Sequence, residues 1–227
     1  MCPLRSCLCL LMAAAGGVTA AVPPELDGAL RDFRPDPPPG WSYTQTTVAG
    51  GKSIVERHNA AKPAFDRWSL VRQDGREPTP DELRHYMERR SRWSRTGTAP
   101  RITEQFDPGT IELVTESSDR AVYRARLRPG EMTDRTARFL RVAITLHKPT
   151  RTIETLELAS VGAFSPTFGV RISTMQTIMT YMPPSGDMPT LPGSVATRVR
   201  GRAYLVKSLD ADMTVTYSDY ERAMKPR

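Results

Sequence analysis

The chain has 227 residues, with 32 lysines and arginines against 25 aspartates and glutamates, which gives a formal charge of +7. Its three cysteines, Cys2, Cys7 and Cys9, fall within the first ten residues, so the rest of the sequence excludes disulfides, thiolate nucleophiles and cysteine-ligated metal sites. No later segment approaches the roughly 20 apolar residues that a membrane-spanning helix requires. The length suits a single domain with one core.

The first 21 residues have the pattern of a cleaved secretory signal peptide, with Arg5 at the positive start, a short apolar core and small residues at its end. We therefore expect a periplasmic protein. Residues 22–40 are rich in proline, which predicts a lead-in segment with no more than a short helix over residues 26–33. The remaining chain, residues 41–227, is predicted to form one domain.

Ten strands are predicted in the order 41–48, 53–59, 66–72, 110–116, 121–128, 138–147, 152–159, 171–181, 194–207 and 211–220. Turn residues separate them, among them Gly50-Gly51 and Asp74-Gly75. Ten strands with one strong helix do not fit an alternating βαβ fold. The prediction is a mainly β protein in which one curved antiparallel sheet forms a half-open barrel.

The strong helix is predicted to begin after Thr79 and to end near residue 95. Thr79, Pro80 and Glu82 have the spacing of a capping box with proline at the first helical position. Leu83, Tyr86, Met87 and Trp93 fall on one stripe at helical spacing. We expect this stripe to pack on the concave face of the sheet.

Period-two alternation in the strands predicts one apolar face and one cationic or hydroxylated face. A helix of about sixteen residues is roughly 24 Å long, whereas ten strands span roughly 48 Å. The uncovered apolar surface is therefore either closed by curling of the sheet or open to an apolar ligand. The lining predicted for such a concavity is Tyr123, Leu127, Met175, Met179, Val199, Leu205, Met213, Val215 and Tyr217.

Two features bear on this concavity. The loop over residues 161–170 carries Phe164 and Phe168. Because aromatic side chains are unfavourable in water, we expect these rings either to cover the opening or to cap the sheet's own core. The methionines can repack around acyl chains of different shape, although they can equally fill an ordinary core.

At the end of the last strand, Asp219 is predicted to continue the apolar row after Tyr217, with Ser218 on the opposite face.

Reaction chemistry is not evident in the sequence. His58, His85 and His147 lack metal-ligand spacing, and the run from Gly50 to Ser53 lacks the first glycine of a phosphate-binding loop. We predict no cofactor, no metal site and no catalytic residue. A hydrolase whose carboxylates meet from distant strands is the weaker alternative.

Several motifs suggest a family: W-x-Y-T at 41–44, V-E-R-H at 55–58, R-W-x-L at 67–70, D-G-x-x-P-T at 74–79 and F-S-P-T-F-G-V at 164–170. The chain resembles a family of proteobacterial exported proteins and, more distantly, the periplasmic lipoprotein carriers of the LolA and LolB type. Their unclosed barrel holds acyl chains in an apolar concavity covered by helices. This sequence departs from them in lacking a long amphipathic helix before the first strand.

The resemblance implies a non-enzymatic carrier for an acyl chain or a lipoprotein lipid. The alternative is a structural or interaction protein of the cell envelope, with a self-filled core and an arginine-rich face that docks on an anionic envelope component. Export argues against a nucleic-acid partner.

Overall fold

The computed structural model describes residues 22–93, 105–128, 136–204 and 206–223, and for residues 91–93 the backbone alone. The predicted signal peptide lies outside these residues. These residues include two α-helices, α1 (Pro24–Asp32) and α2 (Pro80–Trp93), and a short 3₁₀ turn over Ala137–Phe139. None of the described helices is both long enough and apolar enough to cross a membrane. The strands are β1 (Trp41–Ala49), β2 (Lys52–His58), β3 (Trp68–Gln73), β4 (Phe106–Glu116), β5 (Arg120–Leu127), β6 (Leu140–His147), β7 (Thr152–Ser160), β8 (Val170–Met182), β9 (Leu191–Ala203), β10 (Lys207–Ser208) and β11 (Ala211–Arg222).

All strands belong to one antiparallel sheet with the order β3-β2-β1-β11-β9-β8-β7-β6-β5-β4, and β10 pairs with the end of β9. The sheet does not close into a barrel. The predicted mainly β, antiparallel and open architecture is therefore confirmed. The strand predicted over 194–207 is divided because Tyr204 adopts a φ of 49°, a left-handed conformation that ends an extended strand.

The core lies between α1 and the strands β5 to β8. Leu26 and Ala29 of α1 are buried with Val142, Ile144 and Leu156 of β6 and β7. Pro24 at the helix start and acidic side chains in the first turn favour this short helix. The proline-rich stretch that the sequence separates from the domain thus contributes the helix that covers the sheet.

The prediction for α2 is confirmed at its start and corrected along its length. Thr79 N–H donates to Glu82 Oε2 at 2.7 Å and Glu82 N–H donates to Thr79 Oγ1 at 3.3 Å, which is the expected capping box. Of the stripe residues whose side chains the structure describes, however, Tyr86 is buried, whereas Leu83 and Met87 are 40% and 48% exposed; the Trp93 side chain lies outside the described part. The apolar surface of β5 to β8 is covered by α1. Helix α2 instead meets β2 through Tyr86 and Glu56, and β3 through Arg90 and Trp68.

Candidate functional site

The predicted lining residues share one face of the sheet. Residues in direct cross-strand register lie on the same face, and one line of partners runs through Tyr123, Ile144, Leu156, Met179, Val195 and Val215. We call the face that carries these residues, against which α1 packs, the inner face. Leu127, Met175, Val199, Met213 and Tyr217 also lie on it by register. Leu205 lies outside the described residues.

Some of the predicted lining residues belong to the buried core or pack directly against it. Tyr123 is 3% exposed, and Leu127 and Met179 pack against the same buried cluster as α1. The helix side chains occupy the space in front of β5 to β8. At these positions the inner face is filled by the protein itself.

A second part of the inner face is open to solvent. Met175 is paired with Val199, and Thr177 is paired with Thr197, whose hydroxyl lies 3.2 Å from that of Thr177. Met213, next to Thr197, is 38% exposed, and the other four residues are half-buried. We call these five residues, Met175, Thr177, Thr197, Val199 and Met213, the open strip.

The inner-facing row of β11 continues from Met213 through Val215 to Tyr217, and there it meets an aromatic cluster. Tyr43 is at the centre of that cluster and is 7% exposed. Its ring centroid lies 5.9 Å from that of Tyr217 and 4.8 Å from that of His58. The other neighbouring rings, at 5.6 Å, are Trp68 and Tyr220.

A buried carboxylate adjoins this cluster. Glu56 is 9% exposed and its side chain accepts hydrogen bonds from the Tyr86 hydroxyl at 2.9 Å and from the Gln45 amide at 3.1 Å. These bonds satisfy both carboxylate oxygens, as a buried carboxylate requires. Tyr86 thus connects α2 to the sheet at β2.

Burial determines the protonation of this region. It raises the pKa of the Tyr43 and Tyr86 hydroxyls well above the usual range, so both remain neutral donors at physiological pH. Burial also lowers the pKa of His58. The neutral imidazole donates from Nδ1 to the Trp41 carbonyl oxygen at 3.1 Å, which leaves Nε2 as an acceptor.

Glu56 and Gln45 were not predicted to be site residues, and Tyr86 was predicted only to pack on the sheet. Alternation along β2 places Ile54, Glu56 and His58 on one face, and Ile54 is the cross-strand partner of the inner-facing Thr47. An acidic residue on the face that Ile54 shares with the inner face of the sheet was the available signal. The partner Tyr86 could not be inferred, because it comes from a helix that meets β2 only in the tertiary structure.

The expectation for the end of β11 is wrong. Asp219 does not continue the row after Tyr217, because its φ of 52° and the register shift opposite Ser42 and Thr44 mark a bulge. Its carboxylate instead accepts a hydrogen bond from the adjacent Ser218 hydroxyl at 3.0 Å. Tyr220 takes the next position on the inner face.

The two aromatic residues of the loop over residues 161–170, Phe164 and Phe168, differ in their exposure to solvent. Phe164 is 6% exposed and stacks on Phe139 with centroids 5.7 Å apart, in agreement with a covering role. Phe168 is 93% exposed and covers nothing among the described residues. Backbone pairing of Phe164 with Ile172 holds one ring against the sheet, whereas Phe168 lies in the bend that follows.

A separate cavity of about 930 Å³ lies beside α1 and includes none of the predicted lining residues. Its walls combine an apolar floor with charged groups at the rim, among them Ala29, Phe33, Ile153, Asp32, Arg34 and Arg151. Within the described part of the chain, no group of three histidine, cysteine or acidic side chains could hold a metal ion.

Comparisons with known proteins do not assign this site. No protein-family model matches the chain, and no curated protein matches it. A search of solved structures found an isomerase-inactive variant of GphF DH1, with 12% identity over 88% of this chain and 80% of that one and a TM-score of 0.16. A TM-score this low carries no argument about fold or function.

Proposed function

We propose that the protein is a non-enzymatic periplasmic binding or carrier module that holds an acyl chain, from a lipid or a lipoprotein, along the open strip. One observation carries this proposal: the inner face extends from the buried core to partly exposed apolar side chains around the Thr177–Thr197 pair, with Met213 38% exposed and Met175 and Val199 half-buried. Covering apolar surface stabilises a complex by roughly 25 cal/mol per Å². An acyl chain would provide such a cover.

The composition of the open strip suits this ligand class. Met175 and Met213 are unbranched and polarizable, so they can adjust to chains of different shape. The two threonine hydroxyls lie 3.2 Å apart and share one hydrogen bond, so part of their polar capacity is used within the strip. The row therefore offers an apolar surface with little polar competition.

The aromatic cluster gives this surface a polar end. Tyr217 follows Met213 and Val215 on the same row, and it contacts Tyr43. Burial raises the pKa of the Tyr217 hydroxyl, which keeps it protonated. A chain lying along the row would place its headgroup near neutral phenol donors.

The test is isothermal titration of the full chain with dodecanoate, comparing Met213→Lys with Val48→Lys. Val48 is a matched control because it is 46% exposed on the opposite face of the neighbouring strand β1. We expect the wild type and Val48→Lys to bind and Met213→Lys to lose at least tenfold in affinity. A wild type that binds no dodecanoate, or a Met213→Lys variant that binds as well as the wild type, would disprove the proposal.

The second candidate is the interaction protein with a self-filled core. The observation that favours it is the position of α1, which fills the inner face in front of β5 to β8. Extraction of the purified protein for mass spectrometry separates the two candidates. Co-purified lipid supports the carrier, and protein that is always empty supports the interaction protein.

A further inference from the structure

We call the face of the sheet opposite α1 the outer face. Some arginines on this face form ion pairs with carboxylates and others do not. Strand β9 carries Arg198, Arg200 and Arg202 at every second position. Asp212 of β11 pairs with the first two, at 3.3 Å from Arg198 and 2.7 Å from Arg200. The third, Arg202, has Arg171 of β8 directly opposite.

Arg171 and Arg202 concentrate positive charge at one place, because the register of β8 and β9 keeps them directly opposite each other. Direct cross-strand neighbours have Cβ atoms about 5 Å apart, and like charges at that distance are destabilising. Neither Arg171 nor Arg202 has an ion pair with any residue that the structure describes, and both side chains are exposed. The fold therefore maintains a repulsive pair without an internal counter-charge.

The two guanidinium groups line a pocket. It has a volume of about 450 Å³ and its seven lining residues include no carboxylate. Three of them, Ser165, Ser173 and Tyr204, carry hydroxyl groups. None of these hydroxyls is hydrogen-bonded to another side chain of the described chain, so all three are free to donate to a ligand.

The wall of this pocket is fixed by an unusual backbone. Tyr204 has a φ of 49°, which a side-chain-bearing residue rarely adopts, and its N–H donates to the Gly169 carbonyl oxygen at 2.6 Å. Gly169 has a φ of +75°, and a Cβ placed on it would lie 2.7 Å from Cε1 of the Tyr204 ring. Glycine is thus required at residue 169 for the ring to form this wall.

We propose that this pocket binds a phosphate group between Arg171 and Arg202. A guanidinium presents a planar fork of donors that matches phosphate oxygens, and the three hydroxyls supply further donors. A bound anion would also remove the repulsion between the arginines. The phosphate can belong to free inorganic phosphate or to a lipid headgroup. This site is on the opposite face from the open strip and does not depend on acyl-chain binding.

The first test is thermal unfolding of the full chain in sodium phosphate and in sodium chloride of equal ionic strength. We expect phosphate to raise the melting temperature more than chloride does, because a ligand that binds only the native state stabilises it. The double variant Arg171→Gln/Arg202→Gln should lose this difference. Arg171→Lys, which keeps the charge but not the fork, should weaken the phosphate effect several-fold.

The matched control is the double variant Arg126→Gln/Arg141→Gln. These arginines are also directly opposite each other, on β5 and β6. Arg126 has Asp107 as its other cross-strand neighbour, and Arg141 donates to the Leu140 carbonyl oxygen at 3.0 Å. The control should keep the full phosphate effect. An equal phosphate effect in both double variants, or none in the wild type, would overturn the proposal.

The second test identifies the source of the phosphate. The wild type and both double variants are sedimented with vesicles of phosphatidylcholine, with or without phosphatidic acid. Binding that requires phosphatidic acid, Arg171 and Arg202 supports a lipid headgroup, and a phosphate effect on melting without such binding supports the free anion. Vesicle binding that is the same in all three proteins, together with no phosphate effect on melting, contradicts the site.

Discussion

At the residue scale, Glu56 shows how one side chain can determine a local arrangement. Its carboxylate is buried and hydrogen-bonded by Tyr86 and Gln45. Removing one donor leaves a buried acceptor unsatisfied, which costs more than the bond itself contributes. The Tyr86 hydroxyl therefore helps to hold α2 on the sheet, together with the Arg90 guanidinium, which lies 3.9 Å from the centroid of the Trp68 ring.

We expect Tyr86→Phe to lower the free energy of unfolding by about 1–3 kcal/mol, since it removes a hydrogen bond to a buried charged group. Urea unfolding at pH 7 measures this change. Tyr204→Phe is the control, because Tyr204 is 69% exposed and its hydroxyl has no such partner. Equal stability of Tyr86→Phe and the wild type would mean that solvent replaces the lost bond.

A single inserted residue also explains why the prediction for Asp219 is wrong. Alternation assigns faces correctly only while each residue of a strand opposes one residue of its neighbour. The bulge at Asp219 adds one residue, so the parity changes and Tyr220 takes the inner position. A bulge depends on the register of two strands that are far apart in sequence, and the local pattern therefore does not reveal it.

At the element scale, α2 is defined at its start by local chemistry. Glu82 accepts the Thr79 N–H and pairs with Arg76 at 2.7 Å. The hydrogen bond from Arg76, followed by that from the Thr79 N–H, lowers the pKa of Glu82 from 4.5 to about 2. All of these groups lie within seven residues, which is why the sequence alone located the start of the helix.

The lowered pKa gives a pH-dependent contribution to stability. The carboxylate form of Glu82 is favoured in the folded chain, so its contribution is complete above pH 4.5 and is lost as the pH falls towards about 2. We expect Glu82→Gln to be less stable than the wild type at pH 7 and equally stable near pH 2. Urea unfolding across this pH range measures the difference.

The control for this prediction is Glu77→Gln. The Glu77 side chain forms no ion pair with any residue that the structure describes, so its replacement should change the stability at pH 7 less than Glu82→Gln does. A Glu82→Gln difference that is the same at pH 7 and pH 2 would contradict the proposed role of the Arg76 pair.

At the scale of the whole molecule, the decisive element is α1. Leu26 is fully buried against strands that come more than a hundred residues later in the chain. The core therefore includes both the segment before the first strand and the middle of the sheet. The domain that contains this core begins before residue 41.

We expect Leu26→Ala to lower the free energy of unfolding by about 2–5 kcal/mol, as for other fully buried leucines. Leu83→Ala is the matched control, because Leu83 lies on the other helix and is 40% exposed; its effect should be within about 0.5 kcal/mol, as for a surface substitution. Urea unfolding of both variants measures the difference. Similar losses for the two leucines would contradict the assignment of α1 to the core.

The sequence by itself determined the strands, their antiparallel arrangement, the capping box of α2 and the face of each predicted lining residue that the structure describes. These features follow from the period-two alternation and from hydrogen bonds between near neighbours, which the chain contains locally. The tertiary structure alone decided which helix covers the sheet, which part of the inner face is filled, and that Glu56 meets Tyr86 and Arg171 faces Arg202. These outcomes depend on register and on the packing of distant segments, and a local pattern does not contain that information.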